Sequence, residues 1–236
     1  MGEWELARID GSEIPCHGYW SGQWSVSGLL FLSRGDEGWM SLMPVEVESQ
    51  QLAAECARGT TAVFGLGLRW LAAQCAMRAD VDKVVVIEHD RSLIEFHGDL
   101  ALFERLPDGA GSKVGIVESD ALEWQPAEPV DVLLIDIWQS LIGEGRLAEV
   151  ERMQANVAAG AVHFWGQELE IARRAVRAGR RLDHDAIVAT VGEIGLPLAG
   201  PERPAYAARV RGAAANWMGD QWLPGTPLPV DLGALS

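Results

Sequence analysis

The fold is decided by the stretch TAVFGLG at residues 61–67, a short apolar run that ends in two glycines. It is followed by a helical pattern over residues 69–78 and by a second apolar run, KVVVIEHD, at residues 83–90. The letters VVVI in that run are apolar at every position, which is typical of a central parallel strand because both of its faces are buried. The two runs therefore predict a β-α-β unit.

Further units of the same kind extend from this one in both directions. Pro44 suits the first turn of a helix that ends before Gly59. Later in the chain, strands are predicted at 113–118, 130–136 and 161–165, and helices at 146–158 and 167–180. We expect an α/β fold: a Rossmann-like, doubly wound, mostly parallel sheet with helices on both faces.

Two regions of different character flank this predicted cofactor-binding domain, which spans residues 44–182. Residues 1–43 predict a small N-terminal β-cap, because turn-forming residues separate strand-like runs at 4–9, 13–20, 24–32 and 38–43. Residues 183–236 predict two helices and then proline-rich extended chain. The sequence Asp-His-Asp at 183–185 is interpreted as a helix start capped by Asp183 rather than as a metal site.

Composition narrows the range of partners. The 236 residues carry a net charge of −15 and are 48% hydrophobic, so a folded core with an acidic surface is expected. Such a surface repels phosphates, which argues against nucleic acid and anionic membranes as partners. The start of the chain lacks a signal-peptide pattern, and no apolar run reaches the roughly 18 residues of a membrane span. Three widely spaced cysteines indicate reduced thiols and a cytoplasmic protein.

Polar groups follow each of the first four strands of the predicted sheet. In an open parallel sheet, ligands bind outside the carboxyl ends of the strands. We therefore expect these groups to line one crevice. They are Gly65-Leu66-Gly67, Glu88-His89-Asp90, Ser119-Asp120-Ala121 and Asp136-Ile137-Trp138.

Each group has a use for a ligand that carries a ribose and an adenine. The glycines let the main chain approach the ligand closely and turn into a helix N-terminus. Glu88 follows them by about 20 residues, the interval at which a carboxylate binds ribose hydroxyls. Asp120 can accept a hydrogen bond from the adenine amine, and the Ala121 N–H can donate to a ring nitrogen. Asp136 would lie over the reactive part, as a general base or a cation site.

Residues 61–138 resemble the class I S-adenosylmethionine-dependent methyltransferases, with some similarity to the spermidine synthase-like branch. The matching pieces are VFGLG at 63–67, VVIE at 85–88, SDAL at 119–122 and VLLID at 132–136. The resemblance implies S-adenosylmethionine, or a relative such as its decarboxylated form, as the cofactor. It places the glycines at the amino-acid end of the cofactor, the acid of the second strand on the ribose and the third group on the adenine. The candidate cofactor-binding residues are Gly65, Leu66, Gly67, Glu88, His89, Asp120 and Ala121.

The same resemblance implies methyl transfer to a small molecule, with Asp136 as the candidate catalytic residue. Trp138 is placed to wall a substrate pocket, and Trp20 and Trp24 of the cap are candidates to cover it. The histidines are scattered, so no metal site is expected. Acids at or beside the strand ends predict a negative crevice that favours a neutral or cationic acceptor; they are Glu88, Asp90, Glu118, Asp120 and Asp136.

Departures from the family pattern keep other functions open. Val63 and Arg69 occupy positions that usually hold an acid and a third glycine, which leaves open a catalytically silent binding or assembly protein, including a homodimer. Leu68 and Gln139 stand where aminopropyltransferases have aspartates, so polyamine synthesis is less favoured. The chain matches half of the glycine fingerprint of NAD-dependent oxidoreductases, but Trp70 occupies the position of the third glycine. The pattern also lacks the family's antiparallel sixth and seventh strands.

Overall fold

A computed structural model describes residues 3–11 and 13–224 of the chain. Within these residues it contains ten β-strands and seven α-helices. No helix among the described residues is both long enough and apolar enough to cross a membrane. The proline-rich segment that the sequence predicts as extended chain falls mainly at 225–236, outside the described residues.

Five parallel strands form the central sheet and confirm the predicted fold class. The strands are β6 (Gly59–Phe64), β7 (Val81–Glu88), β8 (Val114–Glu118), β9 (Val132–Ile135) and β10 (Ala161–Phe164). They lie in the order β10-β9-β6-β7-β8, so that β6 is central and the chain moves first to one side of it and then to the other. Such a reversal of strand order creates a crevice at the carboxyl ends of the strands next to the switch point.

Seven helices precede, connect or follow these strands, close to where the sequence predicts helices. They are α1 (Pro44–Cys56), α2 (Trp70–Ala76), α3 (Arg91–Leu100), α4 (Arg146–Val157), α5 (Gln167–Arg177), α6 (His184–Ile194) and α7 (Tyr206–Trp217). Asp90 and Asp183 cap α3 and α6 by accepting hydrogen bonds from main-chain N–H groups, as their positions predicted. The described residues contain no sixth strand in the central sheet; instead, the segment 197–199 makes one parallel bridge to β10 before α7 begins.

The two faces of the central sheet are covered by separate apolar clusters. One contains Phe64 and Leu133 of the sheet with side chains of α4, α5 and α7, and the other contains Val63 and Val86 with side chains of α2 and α3. Alternate residues of a strand point to opposite faces, so Val63 and its neighbour Phe64 belong to different clusters. Burial on both faces explains why these strands are apolar throughout.

The N-terminal region is β-rich, as predicted, but it forms two sheets instead of one. Strands β1 (Trp4–Ile9), β4 (Leu29–Arg34) and β5 (Glu37–Ser41) form a three-stranded antiparallel sheet, and β2 (Ile14–His17) pairs with β3 (Gln23–Val26) as a separate hairpin. The predicted strand at 24–32 is divided because Gly28 has a φ of +70°, outside the β region.

The two N-terminal sheets pack against different parts of the body. The indole N–H of Trp4 in β1 donates to Ser92 of α3 at 3.1 Å. The β2–β3 hairpin instead contacts the C-terminal helix, because the indole N–H of Trp217 donates to the carbonyl oxygen of Gly18 at 2.9 Å and Asn216 donates to that of Ser21 at 2.7 Å. The division into three domains at 43 and 182 stays a prediction.

Candidate active site

A cavity of about 320 Å³ opens at the carboxyl ends of β6, β7, β8 and β9. It lies where the strand order reverses, which is the expected position of a ligand site in an open α/β sheet. All of the predicted site residues except Leu66 line it: Gly65, Gly67, Glu88, His89, Asp120, Ala121, Asp136 and Trp138. The structure therefore brings together groups that the sequence distributes over more than 70 positions.

The glycine loop after β6 depends on both of its glycines. Gly65 has a φ of +96°, and a Cβ there would collide with the carbonyl oxygen of Asp136. Gly67 has a φ of +44°, and a Cβ there would lie 2.6 Å from the sulfur of Met40. Glycine adopts such backbone angles without strain, and at Gly65 a Cβ would meet main-chain atoms that cannot move aside, whereas at Gly67 it would meet the flexible Met40 side chain. The loop is thereby held against β9 on one side and against β5 on the other.

Arg69 occupies the position at which the family usually has a third glycine, and it retains a glycine-like backbone with φ at +64°. Its side chain is buried, with the guanidinium 4.7 Å from the centre of the Phe103 ring. Burial lowers the pKa of Arg69 to about 10. Arg69 thus combines a positive φ with a side chain that packs against the apolar cluster on one face of the sheet.

His97 of α3 forms a hydrogen bond with the same loop. Its Nε2 lies 2.7 Å from the carbonyl oxygen of Gly67, and the ring is 1% exposed. Burial, together with the nearby charge of Arg69, lowers the pKa of His97 to about 4, so the ring is neutral at pH 7. A neutral ring that meets a carbonyl through Nε2 must carry its proton there, and His97 is therefore a donor to the loop.

Glu88, at the end of β7, lines the cavity and also accepts hydrogen bonds from two main-chain N–H groups. One carboxylate oxygen accepts from the N–H of Leu66 at 3.0 Å, and the other accepts from the N–H of Asp90 at 2.8 Å. Leu66 thus contributes its main chain to the site, while its side chain is buried in the core. A carboxylate has about four acceptor positions, so these two bonds leave capacity for ribose hydroxyls. The His89 side chain is 75% exposed and contacts the Glu88 carboxylate at 3.2 Å.

The N-terminal β-sheet forms a roof over this part of the cavity. Arg34 of β4 pairs with Asp90 at 2.9 Å and lies 5.3 Å from the ring centre of Trp4. Trp4 in turn meets Trp39 edge to face at 5.6 Å. Burial alone would raise the pKa of Asp90, but hydrogen bonds from Ser92 and Leu93 and the charge of Arg34 hold it below its usual value.

Asp120 and Ala121 follow β8 in a turn. A carboxylate oxygen of Asp120 accepts from the N–H of Leu122 at 2.8 Å, so this side chain stabilises its own turn. Asp120 is exposed, whereas Ala121 is 8% exposed and belongs to the core. Both residues face the cavity beside Glu88. Their predicted contacts with an adenine stay predictions.

Asp136 follows β9 on the other side of the cavity, where its environment differs from that of Glu88. Its carboxylate accepts from the side-chain amide of Gln50 in α1 at 2.6 Å. Burial and the neighbouring charge of Glu46 raise the pKa of Asp136 to about 7. Burial also raises the pKa of Glu46 to about 7, although Glu46 accepts a hydrogen bond from the N–H of Ser41 at 2.5 Å. Two carboxyl groups that titrate near neutral pH therefore share one wall.

Trp138 is held in place by contacts on its face and its edge. The guanidinium of Arg146 lies 4.5 Å from the ring centre, and the indole N–H donates to Glu149 at 2.8 Å. Arg146 also donates to the carbonyl oxygens of Ser140 and Leu141, each at 2.5 Å, and so orders the loop after β9. The cavity thus has a rigid aromatic wall next to Asp136.

Sequence reasoning missed the cavity residues that come from outside the strand ends. These are Trp4, Arg34, Trp39, Met40, Glu46 and Gln50; Trp165, which directly follows β10, was missed as well. The expectation that Trp20 and Trp24 cover the pocket is wrong, because their hairpin packs on α1 and α7 away from the cavity. One available signal was the spacing of Glu46 and Gln50, which puts both on one face of α1.

Acidic side chains line the cavity, but the set of residues differs from the one that the sequence predicts. Glu88, Asp90, Asp120 and Asp136 line it together with Glu46, whereas Glu118 lies outside and points towards Arg91 at 3.9 Å. Among the described lining residues, Arg34 is the one arginine or lysine. The part of the chain that the structure describes contains no group of three or more side chains placed to hold a metal ion.

No protein-family model matches the chain, and no curated protein matches it. Parts of the chain are similar to solved structures. A DhpI-SAM-HEP complex is 19% identical over 52% of this chain and 56% of that chain, with a TM-score of 0.38. The 23S rRNA methyltransferase ErmE is 15% identical over 58% and 52%, with a TM-score of 0.40. The methyltransferase domain of bacterial CtHen1 is 15% identical over 50% and 65%, with a TM-score of 0.39. Each match thus covers about half to two thirds of the solved chain.

Proposed function

We propose that this protein binds S-adenosylmethionine and transfers its methyl group to a small, neutral or cationic acceptor. The observation that carries the proposal is that four strand ends supply the glycine loop, Glu88, the Asp120-Ala121 turn and Asp136 to a single cavity. Its volume of about 320 Å³ suits a small molecule. The unpaired state of Cys16, Cys56 and Cys75 is consistent with a cytoplasmic location.

The residues present fit this cofactor. The absence of a side chain at Gly65 brings the main chain of the loop to the cavity edge, next to the N-terminal end of α2. Glu88 is oriented by its two main-chain donors and retains acceptor capacity towards the cavity. Arg69 has a positive φ of +64°, which is the backbone region that glycine adopts most easily, and its buried side chain does not line the cavity.

Asp136 has the properties of a general base for the acceptor. Its raised pKa of about 7 means that near neutral pH it is partly ionised and is basic enough to take a proton. Gln50 fixes the carboxylate, and Trp138 limits the positions open to an acceptor beside it. The sulfonium of S-adenosylmethionine supplies an already activated methyl group, so positioning the acceptor is the main demand on the protein.

Isothermal titration with S-adenosylmethionine, S-adenosylhomocysteine and NAD tests the proposal. We expect both adenosyl compounds to bind with micromolar dissociation constants and NAD to give no heat. Absence of heat from both adenosyl compounds at high micromolar concentration would contradict the proposal, and binding of NAD instead would favour an oxidoreductase. Mass spectrometry of an incubated acceptor panel then separates methyl transfer from aminopropyl transfer and from binding without turnover.

A further inference from the structure

The α1 side of the cavity carries a set of polar groups that the sequence did not reveal. Glu46 and Gln50 are one helical turn apart on α1, and both line the cavity. Residues four positions apart lie on the same helix face. Gln50 bridges to the third member, because its amide nitrogen donates to the Asp136 carboxylate at 2.6 Å. Glu46, Gln50 and Asp136 therefore form one surface, which we call the acidic wall.

The acidic wall has no ion-paired counter-charge within the part of the chain that the structure describes. Among the described residues, neither Glu46 nor Asp136 makes an ion pair. Arg34, the cavity's arginine, is paired with Asp90. Arg146 lowers the pKa of Asp136 through its charge, but its terminal nitrogens donate to main-chain carbonyls and it does not line the cavity.

The acidic wall also has more acceptors than donors. Gln50 is 3% exposed, and its carbonyl oxygen has no hydrogen-bond partner in the described part of the chain. Two carboxyl groups and an unpartnered amide oxygen in a partly desolvated wall are unfavourable unless a ligand supplies positive charge and N–H donors. An ammonium group supplies both.

The neighbouring residues favour an organic cation over a metal ion. Trp138 and Trp165 line the cavity beside the acidic wall. Indole rings attract ammonium groups through their faces, and they offer no oxygen ligands. In the part of the chain that the structure describes, no group of three or more His, Cys, Asp or Glu side chains is placed to hold a metal ion.

We propose that the acidic wall binds the ammonium group of an amine acceptor and takes up the proton that the amine loses. This inference rests on the proposed function. One N–H bond of the ammonium breaks, and its proton passes to the Asp136 carboxylate. The freed nitrogen lone pair attacks the methyl carbon as the C–S bond breaks, and that electron pair stays on sulfur. A neutral thioether and a methylated ammonium are formed, so total charge is conserved.

Benzylamine, benzyl alcohol and benzoate are matched probes for titration into the full-length protein, with and without saturating S-adenosylhomocysteine. We expect benzylamine to bind at least tenfold more tightly than benzyl alcohol, and benzoate to bind more weakly than either. Glu46→Gln should weaken benzylamine at least tenfold and leave benzyl alcohol unchanged. The carbonyl oxygen of the introduced amide can still accept from Ser41, so the fold is retained. Glu151→Gln on the exposed side of α4 makes the same charge change and should alter neither affinity.

The pH dependence gives a second readout. Benzylamine binding to the wild type should strengthen as the pH rises through about 7, where the acidic wall ionises. In Glu46→Gln the midpoint should move to lower pH, because Asp136 no longer feels a neighbouring negative charge. Equal affinities for benzylamine and benzyl alcohol, or identical midpoints in both proteins, would overturn the proposal.

The ammonium could also be the one carried by the amino-acid part of the cofactor. Titration of 5′-methylthioadenosine, which lacks that part, separates the two sources. If Glu46→Gln weakens S-adenosylhomocysteine but not 5′-methylthioadenosine, the acidic wall serves the cofactor and the acceptor proposal is overturned. If the wild type binds neither adenosyl compound, the proposed function fails, whereas benzylamine titration without cofactor still decides on the ammonium subsite.

Discussion

The two ends of the cavity use carboxyl groups in opposite ways. At the β7–β8 end, Glu88, Asp90 and Asp120 each accept hydrogen bonds from main-chain N–H groups, and Asp90 also pairs with Arg34. At the β9–α1 end, Asp136 accepts from the Gln50 amide and Glu46 accepts from the N–H of Ser41, yet burial raises the pKa of each to about 7. Satisfied carboxylates hold a binding surface in shape, while under-satisfied ones remain available for proton transfer and for a ligand cation.

Asp136→Asn should give the largest effect, and it tests whether the β9–α1 end takes part in the chemistry. The amide can still accept a hydrogen bond from Gln50, but it cannot take a proton, so we expect turnover to fall about 10³-fold. Binding of S-adenosylhomocysteine should change by less than about threefold. Single-turnover rates and titration calorimetry measure the two quantities. A variant with near wild-type turnover would remove Asp136 from the chemistry.

Gly65→Ala should disrupt the contact between the glycine loop and the segment after β9, because the added Cβ meets the carbonyl oxygen of Asp136. We expect S-adenosylhomocysteine affinity to fall about 100-fold and the free energy of unfolding to fall by about 3 kcal/mol. Gly145→Ala is the matched control: Gly145 also has a positive φ, +76°, but a Cβ there has no neighbour within 4 Å. It should cost only the backbone strain, about 1 kcal/mol. Urea unfolding compares the two variants, and equal losses would refute the steric explanation.

Amide substitution should have opposite effects on stability at the two ends. Glu88→Gln replaces one acceptor oxygen with a donor that faces a main-chain N–H, so the free energy of unfolding should fall by about 1–3 kcal/mol. Asp136→Asn relieves the burial of a charge and should raise it by about 1–2 kcal/mol at pH 8. Denaturant unfolding at one pH tests both. Destabilisation by both variants would show that the ends are equivalent.

The pH dependence of stability should separate the two ends by an amount comparable to that of the amide substitutions. Asp136 and Glu46 have ordinary pKa values of 3.8 and 4.5, and both are raised to about 7 in the folded protein. The folded state therefore binds more protons than the unfolded state between these limits, and stability from these groups is lost as the pH rises through about 7. The advantage of Asp136→Asn over the wild type should grow by about 2–3 kcal/mol from pH 5 to pH 8, because one pKa unit corresponds to about 1.4 kcal/mol. A constant difference across this range would contradict the raised pKa.

The sequence predicted the β7–β8 end well and the β9–α1 end only in part. Apolar runs locate the parallel strands, and the residues after them must meet at one edge of the sheet, so Glu88, Asp120 and Asp136 follow from strand assignment alone. Glu46 and Gln50 lie on a helix that precedes β6, and their approach to Asp136 depends on how α1 packs. Local periodicity carries no information on that packing.

The sequence predicted that the cap consists of β-strands, but not which of its residues cover the cavity. Its turn residues and aromatic runs indicated strands, yet Trp4 and Trp39 cover the cavity where Trp20 and Trp24 were expected. The cause is the positive φ of Gly28, which separates the hairpin from the three-stranded sheet. A single glycine in a strand-like run is ambiguous, because it is compatible with a bulge, a bend or a break.

The contact between the β2–β3 hairpin and α7 also orders the events of folding. Trp217 and Gly18 are 199 residues apart, and the hairpin is anchored through such bonds. During synthesis the hairpin emerges before the parallel sheet, but its docking partner on α7 is made only after the whole sheet has emerged. A contact of this sequence separation forms late because the entropy of closing so long a loop opposes it. The hairpin is thus made before the sheet but docks after it, once α7 has formed.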